Sequence, residues 1–198
     1  EMLTTFFVSL ESKGSMVIGN VIGSNVANLS LVFGAMLLVV ALKKLKIQQD
    51  QSIQKNLLIL LSSSVLVWVI IAIDPFNIIS SLILLLSLVL VILFWYKNGA
   101  SEEIQDKVAT DTNKVSLKLF TSLGFLVFAA WLITYGANLI LNKFSLGQLF
   151  IGYTVLAIGT SLPEIAASVS LALKGRYETV SGTLIGSNIF NGLCVLAI

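Results

Sequence analysis

Two acidic residues lie in oily sequence, where an unpaired carboxylate is costly. Glu164 closes the stretch "TSLPE" at 160–164, and Glu1 leads directly into "MLTTFFVSL". A charge at the centre of a membrane span costs about 2.5–3.5 kcal/mol on insertion scales, so it calls for a partner, a proton or a function. Around Glu164 the available chemistry is all oxygen. Pro163 has no amide hydrogen and crowds the preceding turn, so the carbonyls near Gly159 and Thr160 are expected to lose their helical partners and the helix to break at 160–164. Thr160 and Ser161 add hydroxyls, and Glu164 follows one turn after Thr160. Two facing carboxylates with no basic residue on the same segments would repel one another, and a cation relieves that repulsion. Hard oxygen ligands and two negative charges suit Ca²⁺, which takes about six to eight oxygens in flexible geometry; Mg²⁺ holds its water too tightly to fit as well.

A second polar word occurs twice, "GSNVAN" at 23–28 and "GSNIFN" at 186–191. Ser24 and Asn28 are four residues apart and share a helical face, as do Ser187 and Asn191. Gly19 and Gly23, like Gly182 and Gly186, have the spacing that lets a neighbouring helix backbone come close. One offset of 163 residues places Glu1 on Glu164, Leu10 on Leu173, Val17 on Val180, Gly19 on Gly182, Ile22 on Ile185 and Gly23-Ser24-Asn25 on Gly186-Ser187-Asn188, with Asn28 on Asn191. Thr183 departs from the pattern, standing where the first copy has Asn20. Each copy is therefore expected to supply half of an oxygen cage. Blander roles compete: Ser24 and Ser187 can bond the carbonyl four residues back, and the glycine pairs can serve packing alone. Ser62, Ser63 and Ser64 read as packing. Glu102, Glu103, Asp106 and Asp111 read as a solvated face, because their spacing is not that of a Ca²⁺-binding loop.

The elements that must hold these residues are membrane helices. Of 198 residues 57% are hydrophobic and 11% charged, with no His, less than half the charged fraction of about 25% in a soluble domain. Spans of the length needed to cross hydrocarbon are expected near 15–42, 55–73, 76–96, 115–142, 147–173 and 178–198, with Glu1 to Glu11 the tail of another. The fold class is thus all-α integral membrane protein. Both ends read as cut, so the chain is expected to be an internal fragment of a longer protein. Cys194 is the single cysteine and has no intramolecular partner. The formal net charge of +2 singles out no partner, nothing points to nucleic acid, and no ATP motif or catalytic nucleophile is present.

Alternating spans put the loops 43–56, 97–118 and 174–177 on one side, with ten of the twelve basic residues; Lys13 and Lys143 remain on the other. The positive-inside rule makes the first set cytoplasmic in a multi-pass protein of the cell membrane. Trp95 and Tyr96 suit an interfacial belt. The polar stretch 98–114 reads as a cytoplasmic linker between two halves, 1–97 and 115–198, and "DPFN" at 74–77 as a tight outer turn. The segments carrying Glu1 and Glu164 then cross in opposite directions. Inverted repeats of this kind bind substrate near the midplane, where the halves meet.

"GTSLPE" followed by "GSNIFN" after an intervening "KG", duplicated in inverted orientation, resembles the alpha repeats of the cation/calcium antiporter superfamily, in particular the prokaryotic sodium/calcium exchangers. The likeness covers 1–31 and 159–195 by motif and the other spans by hydropathy. It implies a fold of about ten helices in two inverted halves, of which this chain would run from the end of the second helix to much of the eighth. It also implies that Glu1 and Glu164 are the central carboxylates, binding Ca²⁺ and Na⁺ in competition. Thr160 would add backbone and hydroxyl oxygens and Ala157 a carbonyl. Ser161, Ser187 and Ser24 would be sodium ligands, with Asn28 and Asn191 bordering the middle site. The family often has Asp at one of the last two positions; both are Asn here, leaving two carboxylates and a formal charge that balances one Ca²⁺. The function so implied is secondary active exchange of Ca²⁺ for Na⁺ across the lipid bilayer, without a cofactor and without enzymatic chemistry. H⁺ and K⁺ are the other possible counter-ions, H⁺/Ca²⁺ exchange is the near alternative, and a cation channel or a membrane scaffold a more distant one.

Overall fold

The computed structural model describes residues 1–44, 51–98 and 112–197, and every regular element among them is helical. The short α1 (Met2–Leu10) turns into α2 (Gly14–Ala27), which runs through a π-helical turn at Asn28–Val32 into α3 (Phe33–Leu42). Then come α4 (Gln51–Ile73), α5 (Ile78–Asn98) and the long α6 (Thr112–Phe144). Next, α7 (Gln148–Ile151) passes through a second π-helical turn, Gly152–Leu156, into α8 (Ala157–Leu173); α9 (Tyr177–Phe190) ends in a third, Asn191–Val195. Runs of Leu, Ile and Val become helices because lipid offers the backbone no hydrogen bonds, and a helix satisfies them internally. Among the described residues five helices are long and apolar enough to cross a membrane: Gly14–Lys43, Ile53–Ile73, Ile78–Asn98, Leu117–Phe144 and Gln148–Leu173. The chain is a multi-pass membrane protein, and large apolar side chains such as Trp68 (70% exposed) and Phe125 (75%) form its lipid-facing skin.

The repeat seen in the sequence is also a repeat of local structure. Adding 163 to the bounds of α2 gives those of α9, and adding it to the first π-helical turn gives the third. The turn closing α1 recurs after α8. Lys13 N bonds Val8 O at 3.4 Å where Arg176 N bonds Leu171 O at 3.0 Å, and Ser12 (φ 56°) stands where the second copy has Gly175 (φ 76°). Glycine takes this left-handed conformation without strain; Ser12 takes it against a steric cost, which points to the turn being set by the packing on both sides of it.

Contacts between distant segments define the two ends of the bundle. At one end the ring of Phe76, in the 74–77 turn, lies against Gly14. There Lys13 Nζ bonds both Glu11 Oε2 and Asn138 Oδ1 at 2.6 Å, and Asn138 Nδ2 donates to Glu11 Oε2 at 2.7 Å. In the turn itself Phe76 N donates to Asp74 Oδ1, and Asn77 Oδ1 accepts from Ile79 N as the cap of α5. At the other end Trp95 Nε1 donates to Asn56 Oδ1 at 3.0 Å, and Tyr177 packs in one apolar cluster with Met36 and Val39.

One expectation is corrected. The helix does not break at 160–164: α8 is continuous from Ala157 to Leu173 with Pro163 inside it. The ring's fixed φ suits a helix, and Pro163 removes only the bond that Gly159 O would accept, a loss that membrane helices tolerate. The irregularity sits earlier, in the π-helical turn at Gly152–Leu156. The sixth expected span, 178–198, is helical from Tyr177 through Val195 as α9 and the π-helical turn that follows it; it is not among the five helices above, and Ile198 lies outside the described residues. The linker acids Glu102, Glu103, Asp106 and Asp111 lie outside the described residues. Ser62, Ser63 and Ser64 bond carbonyls of their own helix, in keeping with a packing role.

Candidate cation site

α2 and α9 meet across the centre of the fold through the repeated polar words, and their contacts are reciprocal. Asn25 Nδ2 donates to Asn188 O at 3.2 Å, and Asn188 Nδ2 donates to Asn25 O at 3.4 Å. Asn28 Nδ2 donates to Asn188 Oδ1 at 3.0 Å, and Asn191 Nδ2 to Asn25 Oδ1 at 3.2 Å. Each bond is the image of another under the 163-residue offset. Such isologous contacts are what a two-fold relation between the copies produces.

Around this junction stand the residues singled out in the sequence. Glu1, at the head of α1, accepts a hydrogen bond from Ser161 Oγ at 3.5 Å. Its other polar neighbours are Ser24, Asn191 and the second carboxylate, Glu164. Ser24 and Thr160 share a hydroxyl contact at 3.3 Å. Thr160 also donates to Leu156 O and Ala157 O, at 2.9 and 3.2 Å, so the Ala157 carbonyl belongs to the same polar cluster. Ser187 Oγ accepts from Asn28 Nδ2 at 3.3 Å. Ser24, Asn28, Ala157, Thr160, Ser161 and Asn191 are buried, and Glu1, Glu164 and Ser187 half-buried. All nine expected residues thus gather where the copies meet. Ser24 and Ser187 both engage other helices, Thr160 and Asn28 respectively, and so are not confined to the competing role of bonding back along their own.

Two oxygens in this cluster have no hydrogen-bond donor: Glu164 Oε2 and Asn28 Oδ1. Buried acceptors of this kind are ordinarily paired. Among the described residues the ion pair is Lys13 with Glu11, away from the cluster, and none of their Lys or Arg side chains pairs with Glu1 or Glu164. Nor do three His, Cys, Asp or Glu side chains come together among the described residues. A cation held here would have two carboxylates and otherwise neutral oxygens as ligands, a donor set that suits hard ions such as Ca²⁺ and Na⁺.

Packing brings α8 to this place. Gly19 and Gly23 let α2 lie backbone to backbone on the Gly152–Leu156 turn, such that a Cβ on Gly19 would collide with Leu149 O and one on Gly23 would sit 2.5 Å from Tyr153 O. Gly152 returns the contact, since its Cβ would collide with Met16 O. The second pair, Gly182 and Gly186, has nothing within 4 Å among the described residues. The offset carries the counterpart of 149–157 outside residues 1–198, so close approach is seen for one copy only.

Four polar residues joined the cluster without having been singled out as site residues. Asn25 and Asn188 were present in the repeated word, and their inclusion in it was the available signal. Asn20 Nδ2 donates to Thr5 Oγ1 at 3.2 Å and its Oδ1 accepts from Thr160 at 3.5 Å, tying α1 to α8. Thr183, at the matching position, is exposed and bonds Thr179 O instead. The amide is needed only where a second helix is there to be tied.

Comparison with known proteins agrees with this architecture. The chain is 31% identical over its full length to a relative with an antiporter name, CaxA of Alkalimonas amylolytica, covering 64% of that protein. It is 31% identical over 96% of its length to the uncharacterized membrane protein MJ0091 of Methanocaldococcus jannaschii, covering 61% of it. Over 80 residues, 40% of the chain and 23% of the relative, it is 39% identical to the sodium/calcium exchanger MaX1 of Methanosarcina acetivorans. The chain therefore spans a little over three fifths of the length of the first two relatives. No solved structure matches it significantly. The family described as "Sodium/calcium exchanger protein" matches residues 1–97 and 115–198, both sides of the polar linker and every residue of the cluster, and the chain belongs to that family.

Proposed function

We propose that this chain is the ion-binding part of a secondary active antiporter that moves Ca²⁺ against Na⁺. The observation that carries the reading is the approach of Glu1 and Glu164 among buried neutral oxygens, with Glu164 Oε2 and Asn28 Oδ1 left without a donor and, among the described residues, no basic side chain paired with either carboxylate. In this reading Glu1 and Glu164 supply the charge that a divalent ion balances. Thr160, Ser161, Ser24, Ser187, the Ala157 carbonyl, Asn28 and Asn191 supply neutral ligands, some to Ca²⁺ and some to Na⁺. Exchange follows from competition. One Ca²⁺ and a group of Na⁺ ions draw on the same oxygens, so one must leave before the other loads, and the empty carboxylate pair, repelling itself, is disfavoured as a state in which access switches.

Alternating access would move α6 past the helices it packs on: it is seated through the buried Ala130, Thr134 and Ala137 and through Ile133, Ile140 and Leu141, which pack partly buried against Val8, Met16 and Ile151, and sliding of packed helices is one of the ways such transitions occur. The orientation read from the basic residues would make Ca²⁺ extrusion the direction driven by inward Na⁺.

The test is ⁴⁵Ca²⁺ uptake into inside-out vesicles containing the full-length protein. An outward Na⁺ gradient imposed with the proton gradient collapsed is expected to drive saturable uptake. Uptake that follows only the proton gradient would replace Na⁺ by H⁺ in the cycle, and ohmic, non-saturating current in a planar bilayer would replace exchange by a channel.

A further inference from the structure

We infer that Asn25 and Asn188 are positioning residues whose side-chain oxygens hold the amide nitrogens of Asn191 and Asn28, so that the Asn28 carboxamide offers oxygen to an ion. The proposal rests on the exchanger reading above. A carboxamide is ambivalent, since one end accepts and the other donates two hydrogens. Turned one way it coordinates a cation; turned the other way it presents N–H groups and repels one. Something must choose between the two faces.

At Asn28 the choice is visible. Both hydrogens of its Nδ2 are used, one toward Asn188 Oδ1 at 3.0 Å and one toward Ser187 Oγ at 3.3 Å. Its Oδ1 is left buried without a donor. Rotating the amide by half a turn would bring Asn28 Oδ1 against Asn188 Oδ1, two acceptors facing one another, and would forfeit the bond to Asn188, leaving only the Ser187 hydroxyl able to turn and donate instead. Asn188 is held in turn, because its own Nδ2 donates to Asn25 O at 3.4 Å and so leaves Oδ1 toward Asn28. The reciprocal arm repeats the arrangement, with Asn191 Nδ2 on Asn25 Oδ1 and Asn25 Nδ2 on Asn188 O. The four amides thus form a chain across the two-fold relation, Asn28 to Asn188 to Asn25 to Asn191, in which turning one member breaks its bond to the next. The segment Asn28–Val32 packs against α8, which carries Glu164. Asn191 neighbours Glu1, and the same relation assigns Asn28 to Glu164.

The experiment is a double-mutant cycle on the full-length protein reconstituted in liposomes, reading the Ca²⁺ concentration that half-saturates Na⁺-driven ⁴⁵Ca²⁺ exchange and the maximal rate separately. Asn188→Ala is expected to raise half-saturation by about tenfold with a smaller effect on the maximal rate. Asn28→Asp replaces the ambivalent amide by a group with oxygen at both ends, and in that background Asn188→Ala is expected to raise half-saturation by less than about twofold. An equal rise in both backgrounds, or no rise in either, would overturn the positioning role while leaving exchange intact. Loss of Na⁺-driven uptake by the unmutated protein would instead overturn the exchanger reading, and the positioning role with it. Should Asn188→Ala fail to fold, Asn188→Asp keeps an oxygen for Asn28 Nδ2 and is expected to show no rise; a tenfold rise there would overturn the proposal equally.

Discussion

Glu1 and Glu164 are equivalent by the repeat but not by surroundings. Glu1 receives a hydroxyl from Ser161, whereas Glu164 keeps a buried oxygen without any donor. Glu164 therefore has more to gain from a cation. Replacing it by Gln removes one of two charges and leaves an N–H where a ligand oxygen stood; at about 3 kcal/mol for a lost charge-assisted contact, half-saturating Ca²⁺ should rise by about 100-fold. Glu164→Asp, which keeps the charge on a shorter arm, should fall between the two in ⁴⁵Ca²⁺ exchange measured on the same vesicles. A Gln variant with unchanged Ca²⁺ dependence would remove Glu164 from the site. The identities of the clustered residues could be read beforehand, because an acid beside Pro in lipid and a polar word written twice both stand out from Leu-rich sequence. Their partners could not. The bonds between Asn25 and Asn188 join residues 163 positions apart, and no local spacing says which of two amides turns its nitrogen toward the other.

At the scale of elements, hydropathy was enough to find the spans, since lipid forces any long apolar run into a helix. It could not find the π-helical turns, which follow from how one helix is seated on another. The break expected at Pro163 illustrates the same limit: the proline is accommodated in a continuous α8, and the widened turn lies at Gly152–Leu156, where α2 presses backbone to backbone. That contact makes an asymmetric prediction. Gly19→Ala and Gly152→Ala each push a methyl into main-chain atoms that cannot rotate away, and each should lower stability in detergent by about 1–3 kcal/mol, as overpacking does. Gly124→Ala, on the lipid-facing surface of α6 with nothing within 4 Å among the described residues, should be neutral or stabilising by up to about 1 kcal/mol from helix propensity. Thermal unfolding of the three variants checks the contrast, and equal melting temperatures would mean that α2 and the Gly152 turn are not in close contact in the membrane. The triangle of the exposed Glu11 with the half-buried Lys13 and Asn138, although well formed, should add only about 1 kcal/mol, as ion pairs near the surface do.

For the whole molecule, inversion of the repeats and the orientation of the chain are one question, because the copies can face each other across a two-fold relation only if the segments bearing Glu1 and Glu164 cross in opposite directions. The reciprocal amide bonds satisfy the first half of that condition. The charge distribution addresses the second: Lys174 and Arg176 follow α8, whereas Lys143 ends α6 on the far side of the span Gln148–Leu173. Lys143 and Lys174 are both exposed and flank a single crossing, so they must lie on opposite faces of the membrane, and the positive-inside rule puts Lys174 in the cytoplasm. Replacing Cys194, the one cysteine of residues 1–198, and any cysteine elsewhere in the full-length protein by Ser permits single cysteines at the two positions. A membrane-impermeant maleimide should label Lys143→Cys in intact cells and Lys174→Cys only after permeabilisation. The opposite pattern would reverse the chain and, with it, the direction of the proposed exchange. Labelling of both from one side would mean that α8 does not cross, in which case Glu164 would not reach the bilayer interior and the two copies could not be inverted.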